Sequence, residues 1–127
     1  MKKLSQLDLG WIVGFLEGEG CFSLHKPYAH LKLCYFRITA SQKSKGPLVH
    51  LQSLVGGNLY RRKYTAKDYY GWHWALTKVA DVKTLSKLIC PLMSKRRQRQ
   101  IRRAASARAK WEKGRASRGK PDRRTNV

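Results

Sequence analysis

The sequence predicts an α+β domain with a small antiparallel sheet, and three patterns along its 127 residues support this fold class. Apolar residues recur at the three- and four-residue spacing of amphipathic helices in three segments. Two pairs of short segments between them are rich in aromatic and β-branched residues, and each pair is predicted to form a hairpin. Glycine and proline separate these segments. The predicted order is therefore αββαββα within one domain, because this length suits a single core.

Local signals mark the ends of the predicted elements. Ser5 with Asp8 three residues later is typical of a helix start, and Gly18 and Gly20 end this first helix. Pro47 suits the first turn of a second helix, which Gly56 and Gly57 end. The remaining elements are strands at residues 21–25, 31–41, 59–64 and 70–76 and a helix at residues 79–89, with Trp72, Trp74 and Leu76 expected to face the core.

The composition changes sharply near Pro91. Residues 95–127 contain fourteen lysines and arginines and two acids, Glu112 and Asp122. A fourth, very basic helix is predicted to start near Ser94, with Ile101, Ala104, Ala105 and Trp111 as its apolar residues. Residues 114–127 have almost nothing to bury, so the chain is divided into a domain at 1–113 and a basic flexible tail at 114–127.

The net charge of the chain is the first indication of its partners. With 28 lysines and arginines against 7 acids, the formal charge is +21, which attracts duplex DNA, RNA or anionic membrane surfaces. The sequence has no run of about twenty apolar residues, so no membrane span is expected. Acids interrupt the apolar residues that follow Lys2 and Lys3, so we expect an intracellular protein, not a secreted one.

The cysteines and histidines do not suggest a metal site. Cys21, Cys34 and Cys90 are widely spaced and include no CxxC pair, so the prediction is buried thiols in a reducing compartment. The four histidines (His25, His30, His50 and His73) likewise have no ligand spacing.

One face of the predicted sheet carries polar and basic side chains and is expected to remain open, while the other packs on the helices. The residues assigned to this open face are Arg37, Thr39, Arg61, Lys63 and His73. Such a face can enter a DNA major groove, which admits a β-ribbon. The alternative is an ordinary solvated polar face, and the net charge favours DNA.

The most informative segment runs from Ile12 to Gly20. Gly14 and Gly18 lie four residues apart on one helix face, so another backbone can approach closely there. Glu17 and Glu19 then lie at the helix C-terminus, where the helix dipole disfavours carboxylates. Because this placement costs stability, a functional reason is indicated, and hard oxygen ligands beside a phosphodiester suit Mg²⁺.

This segment resembles the LAGLIDADG motif of homing endonucleases at every position, with Glu17 and Glu19 in place of the two aspartates. Residues 42–48, 54–57 and 91–98 resemble later segments of the same family in the same order, so the resemblance covers about residues 5–105. It implies an αββαββα domain with a saddle-like antiparallel sheet. It also implies an intron-encoded nuclease that has one motif per chain and works as a homodimer.

The resemblance also implies roles for individual residues. Glu19 and the Gly18 carbonyl match the metal ligands, and Gln42 matches a residue that positions water near the metal. Lys95 matches a lysine that stabilises charge near the scissile phosphate, with Arg97 as the alternative. The remaining implied roles are a phosphate contact for Lys45, a DNA contact for Arg97, and a helix–helix dimer seam at Gly14 and Gly18.

The hypothesis is a metal-dependent endonuclease that cuts both strands of a long, near-palindromic DNA target, in an organelle (chloroplast or mitochondrion) or in a prokaryotic cytoplasm. A catalytically silent RNA maturase or DNA-binding regulator on the same scaffold is the alternative, and the arginine-rich end favours RNA as a further partner. A small ribosomal-type RNA-binding protein would explain the charge but not the segment from Gly14 to Gly20.

Overall fold

The computed structural model describes residues 3–25, 35–63 and 70–118, and the predicted order of elements is confirmed in them. The helices are α1 (Gln6–Glu19), α2 (Gly46–Val55), α3 (Val79–Ile89) and α4 (Lys95–Arg118), and a short 3₁₀ turn (Cys90–Leu92) links the last two. The strands are β1 (Gly20–His25), β2 (Tyr35–Gln42), β3 (Asn58–Lys63) and β4 (Tyr70–Leu76). The predicted turn at residues 26–28 lies outside the described residues.

The four strands form one antiparallel sheet in the order β1-β2-β4-β3. The two inner strands therefore come from different hairpins, and β1 and β3 are the edges. Gly20 pairs with Ala40 and Ala40 pairs with Trp74, so the strand that follows α1 starts beside the centre of the sheet. This register attaches the end of α1 to the most buried part of the fold.

The core lies between one face of the sheet and the helices. Its buried members include Ile12 and Leu16 of α1, Ile38 and Trp74 of the inner strands, Leu48 and Leu51 of α2, Leu85 and Ile89 of α3, and Ile101 of α4. Each large apolar side chain buried in this way contributes roughly 1.5–3 kcal/mol. The helix-facing strand positions and the helical stripes thus supply one continuous core.

The predicted cap of α1 is confirmed. The Ser5 hydroxyl accepts a hydrogen bond from the Asp8 backbone N–H at 3.0 Å. At the other end, Gly20 closes the helix by donating its backbone N–H to the Leu16 carbonyl, and an added Cβ at Gly20 would lie 2.6 Å from that oxygen. The helix consequently ends at Glu19, and the chain enters β1 without a loop.

The strand register corrects the predicted open face. Trp74 is fully buried and Trp72 partly buried, as expected, but Arg61 pairs with Trp72, so Arg61 belongs to the helix-facing side. Lys63, two residues further on, has the same orientation. The prediction that Arg61 and Lys63 share the open face with Arg37 and His73 is therefore wrong, although both basic side chains are exposed near the end of β3.

Two other expectations also change. Cys21 is exposed and Cys90 is half-buried, so the prediction of buried thiols is wrong for Cys21, and Cys34 lies outside the described residues. Helix α4 continues to Arg118, past the point at which the tail was expected to begin. No described helix is both long enough and apolar enough to cross a membrane.

The Gly56–Gly57 turn after α2 gives a first test of the fold. Both residues have positive φ (78° and 98°), but only Gly57 is crowded, because an added Cβ would lie 2.5 Å from Trp74 Nε1. Gly57→Ala should lower the free energy of unfolding by about 2–4 kcal/mol, from backbone strain and overpacking together. Gly56→Ala should cost about 1–2 kcal/mol, from strain alone.

Urea unfolding of both variants and of Gly46→Ala, which has open space and no positive φ, checks this order. Equal losses for Gly56→Ala and Gly57→Ala would contradict the close approach to Trp74.

Candidate active site and nucleic-acid interface

Glu17 joins the C-terminus of α1 to the N-terminus of α4. Its carboxylate accepts hydrogen bonds from the Ser94 backbone N–H at 2.6 Å and from the Ser94 hydroxyl at 2.9 Å. Ser94 precedes α4, and its hydroxyl also accepts from the Arg97 N–H at 3.3 Å. The acid that a helix C-terminus disfavours therefore lies at a helix N-terminus, where a negative charge is stabilised.

Arg97 reinforces the same junction. Its Nε donates to the Glu17 backbone carbonyl at 3.1 Å, and its Nη1 donates to Gln100 Oε1 at 2.9 Å. The side chain also forms an ion pair with the Glu17 carboxylate at 3.7 Å and is almost fully buried. Because its donors bind protein acceptors inside the fold, the structure assigns Arg97 a structural role instead of the expected DNA contact.

The pKa of Glu17 is lowered from its ordinary value of 4.5. The largest cause is the hydrogen bond from the Ser94 backbone, which outweighs partial burial, and the Ser94 hydroxyl and the charges of Arg97 and Arg96 act in the same direction. Glu17 is consequently ionised at neutral pH and committed to the junction.

Glu19 has a different environment, although it lies only two residues away. Its side chain is exposed and makes no hydrogen bond or ion pair with any of the described residues. Two residues correspond to about 200° of rotation around a helix, so Glu19 faces away from the α4 junction that holds Glu17. Its carboxylate oxygens are available to an external ligand.

The surroundings of Glu19 offer hard oxygen donors, which suit a divalent cation such as Mg²⁺. Gly18, the other predicted ligand, lies in the last turn of α1, where backbone carbonyls lack helical partners. The described residues nevertheless contain no group of three or more histidines, cysteines or acids able to hold a metal ion. The oxygen donors of Glu19 and Gly18 in one chain therefore fit only part of a divalent-cation site.

Gln42 and Lys95 belong to elements that meet near the end of α1. Gln42 ends β2, two residues beyond the partner of Gly20, and is half-buried on the helix-facing side. Lys95 is the exposed first residue of α4, directly after the residue that Glu17 binds. The junction between Glu17 and Ser94 therefore holds Lys95 at the same end of α1 as Glu19.

The glycine face of α1 is open in the single chain. An added Cβ at Gly10, Gly14 or Gly18 would meet nothing within 4 Å. Leu7, on the same helix, is 84% exposed. Since apolar residues also occur elsewhere around α1, the helix has more apolar surface than its own chain covers.

Lys45, Arg61 and Trp72 cluster on the helix-facing side near the start of α2. The Lys45 ammonium lies 4.6 Å from the centre of the Trp72 ring, and the Arg61 guanidinium lies 4.2 Å from the Tyr70 ring. Such cation–π contacts hold the two charges in place while leaving them partly solvated. The predicted phosphate contact of Lys45 and DNA contacts of Arg61 and Lys63 stay predictions.

The open face of the sheet centres on His73. Its Nδ1 lies 2.6 Å from the Ser41 hydroxyl, and the ring is only 8% exposed. Burial is the main reason that the pKa of His73 is lowered, and the charges of Arg62 and Arg37 lower it further. His73 is therefore neutral at neutral pH, and the positive charge of this face comes from the two arginines.

Arg37 and Thr39 lie on this face as predicted, since they pair with Ser23 and Cys21 across β1. The Arg37 Nε atom is buried and has no hydrogen-bond partner among the described residues. A buried donor without a partner is costly, so Arg37 is held on this face at some cost in stability.

Three residues of the open face were missed by the sequence analysis. Tyr60 pairs with His73 and its ring lies 5.0 Å from the imidazole, while Arg62 pairs with Gly71 and Ser41 pairs with His73. One signal could have found the first two: Leu59 is apolar, so it belongs with Arg61 on the core side and leaves Tyr60 and Arg62 facing outward.

The family model for the LAGLIDADG endonuclease matches residues 12–99, more than half of the chain. The chain belongs to the LAGLIDADG endonuclease family. The match includes the end of α1 with Glu17 and Glu19, all four strands and the start of α4 with Lys95. None of the curated proteins matches the chain.

Solved structures of homing endonucleases have the same fold. I-TnaI matches with a TM-score of 0.66 and 19% identity, over 89% of this chain and 77% of its own. The archaeal intron-encoded I-Vdi141I, complexed with DNA, matches with a TM-score of 0.61 and 16% identity, over 75% and 63%.

A third structure is I-CvuI, which was solved with the I-CreI target and 2 mM Mg and whose DNA is not cleaved. It matches with a TM-score of 0.58 and 19% identity, over 76% of this chain and 62% of its own. This LAGLIDADG chain thus spans less than two thirds of the length of I-CvuI and of I-Vdi141I.

The junction predicts different effects of the two acids on stability. Glu17→Gln should lower the free energy of unfolding by about 1 kcal/mol, a small value for hydrogen bonds to a charged group because the side chain is partly exposed. Glu19→Gln should leave stability unchanged within about 0.5 kcal/mol, since Glu19 has no partner among the described residues.

Urea unfolding at several pH values checks in which direction the stabilisation by Glu17 changes with pH. The folded pKa of Glu17 is depressed, so its stabilisation is present above 4.5 and is lost as pH falls through the lower folded value. The difference between wild type and Glu17→Gln should hold from neutrality to about pH 5 and then shrink. A difference that grows on acidification would contradict the junction.

Proposed function

We propose that this chain is a metal-dependent homing endonuclease that cuts both strands of a long, near-palindromic DNA target as a homodimer. The observation that carries the proposal is Glu19: an exposed carboxylate without a partner among the described residues, at the end of a helix whose glycine face is uncovered. A family of endonucleases and structural neighbours that were solved with DNA support this assignment.

The homodimer follows from the incomplete donor set. In the described part of one chain, Glu19 is the carboxylate left available near the end of α1, and hydrolysis of two strands needs an acid for each. Packing of α1 against its copy through Gly10, Gly14 and Gly18 would bring two Glu19 side chains together about a two-fold axis. The same symmetry would make the target near-palindromic.

The proposed duplex lies against the open face of the sheet. Arg37 and Arg62 would supply positive charge there for contacts with base or phosphate oxygens. Neutral His73, fixed by Ser41, adds a polar group without adding charge.

The chemistry assigned to the site is hydrolysis of a phosphodiester. Glu19 and the Gly18 carbonyl would hold the divalent cation, which when bound polarises the phosphoryl oxygens and lowers the pKa of water. Gln42, at the end of β2, would orient the attacking water through its amide. Lys95 would lie beside the negative charge that develops on the phosphate, which is where a fixed cation accelerates the reaction.

Glu19→Gln should abolish cleavage and leave DNA binding unchanged or slightly tighter. The variant keeps the size of the side chain but loses the charge that holds the cation, and it also removes a negative charge that faces phosphate. Binding and cleavage are measured with Mg²⁺ and with EDTA, on a duplex selected from a randomised pool for tight binding to the wild-type protein.

Glu17→Gln, assayed well below its melting temperature, is the matched control and should slow cleavage far less than Glu19→Gln, because it weakens the junction beside Lys95 without removing a proposed metal ligand. If Glu19→Gln still cuts at the wild-type rate, Glu19 is not part of the site and the mechanism fails. If the wild-type protein binds its selected duplex but never cuts it, the regulator or maturase alternative replaces the nuclease.

Gly14→Leu should convert the dimer into a monomer, because a branched side chain would separate the two α1 helices. Light scattering should give twice the mass of 14.7 kDa for wild type and the single mass for the variant. Gly46→Leu, also in open space but on α2, should stay dimeric. A monomeric wild-type protein, both free and on its target, would rule out the dimer.

A further inference from the structure

A cleft of about 410 Å³ lies between the edge strand β1 and helix α4. Its floor is apolar and includes Phe22 and Leu24 of β1 and Ala104 of α4. Phe22 pairs with Ile38 on the helix-facing side of the sheet, so the floor is not part of the open face proposed to contact duplex DNA. The cleft is therefore a separate feature of the surface.

The rim of the cleft has an excess of positive charge. Arg96, Arg99 and Arg103 are exposed there, and none of them makes a hydrogen bond or ion pair with another described residue. Of the two acids at the end of α1, Glu17 is engaged by Ser94 and Arg97, and Glu19 faces away from α4. Three like charges along one helix repel each other, and an anion in the cleft would relieve that repulsion.

Gln100 adds a polar group of defined orientation to this rim. Its Oε1 accepts a hydrogen bond from Arg97 Nη1 at 2.9 Å, and Arg97 is itself held by the Glu17 carbonyl. With the oxygen occupied, the amide of Gln100 presents its two N–H donors to other ligands. The rim thus combines three exposed guanidinium groups with an amide donor.

We propose that this cleft binds an unpaired nucleotide of a single-stranded nucleic acid, with the base on the apolar floor and the flanking phosphates on the arginines. An apolar floor beneath a cationic rim suits a base and its phosphates together, whereas a duplex presents phosphates with the bases stacked inside. Arginine planes also stack on bases. The volume accommodates a single nucleotide, and binding there does not depend on the proposed nuclease activity.

The test compares charge removed inside the cleft with the same charge removed outside it. Arg99→Ala/Arg103→Ala removes two rim charges, and Arg102→Ala/Lys110→Ala removes two exposed charges of α4 that do not line the cleft. Fluorescence anisotropy with U12 RNA, dT12 DNA and a 20-base-pair duplex of arbitrary sequence, all in EDTA, gives affinity against salt concentration.

The rim variant should bind U12 or dT12 about tenfold more weakly, and its log–log salt slope should fall by about 1.4, or about 0.7 for each phosphate that the protein no longer neutralises. The control variant should bind less than threefold more weakly, and the duplex should be affected less than threefold by either variant. Tighter binding of U12 than dT12 would identify RNA as the source of the nucleotide, and the reverse order would identify DNA. Equal weakening by the two variants, or a tenfold weakening for the duplex as well, would overturn the proposal.

A single cysteine on the floor of the cleft provides a local readout that does not depend on affinity alone. Cys21 faces the open side of the sheet, so the cysteine is introduced as Leu24→Cys in a Cys21→Ser/Cys34→Ser/Cys90→Ser background and followed by iodoacetamide modification. Saturating U12 or dT12 should slow this modification at least fivefold in the otherwise wild-type protein. An unchanged rate at saturation would place the single strand elsewhere and overturn the proposal.

Discussion

The hydrogen bonds between the Glu17 carboxylate and Ser94 are the interaction on which the rest of the candidate site depends. A carboxylate at the end of α1 opposes the helix dipole, but the first turn of α4 supplies a backbone N–H, a hydroxyl and a favourable dipole. Because Glu17 is fixed on this side of α1, Glu19 faces the other way. One junction thus separates a structural acid from an available one.

The same junction determines what α4 can do. Arg97 is buried in the junction, where it binds Glu17 and Gln100. The basic residues on either side of it in α4 are exposed. Lys95 lies at the end of α1 that carries Glu19, and Arg99 and Arg103 line the cleft beside β1. The start of α4 looks uniformly basic in sequence, but in the structure its residues belong to three different places: the junction, the end of α1 and the cleft.

The order of elements was predictable because it depends on local signals, such as the Ser5 cap and the glycines after α2. The position of Glu19 at the end of α1 was predictable from its motif, and its binding of a metal stays a prediction. The side of the sheet to which Arg61 belongs was predicted wrongly, although the apolar Leu59 two residues earlier indicates the core side, and pairing of Arg61 with Trp72 in the next strand confirms it. The burial of Arg97 depends on Glu17, eighty residues away in sequence, and no local pattern indicates it.

The positive charge of the chain gives a reason for the proposed division of the metal site between two chains. A net charge of +21 attracts any DNA through its phosphates, whatever the base sequence. If each chain held a complete metal site, such binding would expose every duplex to hydrolysis. In the proposed dimer, one Glu19 per chain makes hydrolysis require two copies aligned about a two-fold axis. Each chain of the proposed dimer would then recognise its own half-site. Cleavage would be restricted to DNA in which two half-sites have the spacing that aligns both chains.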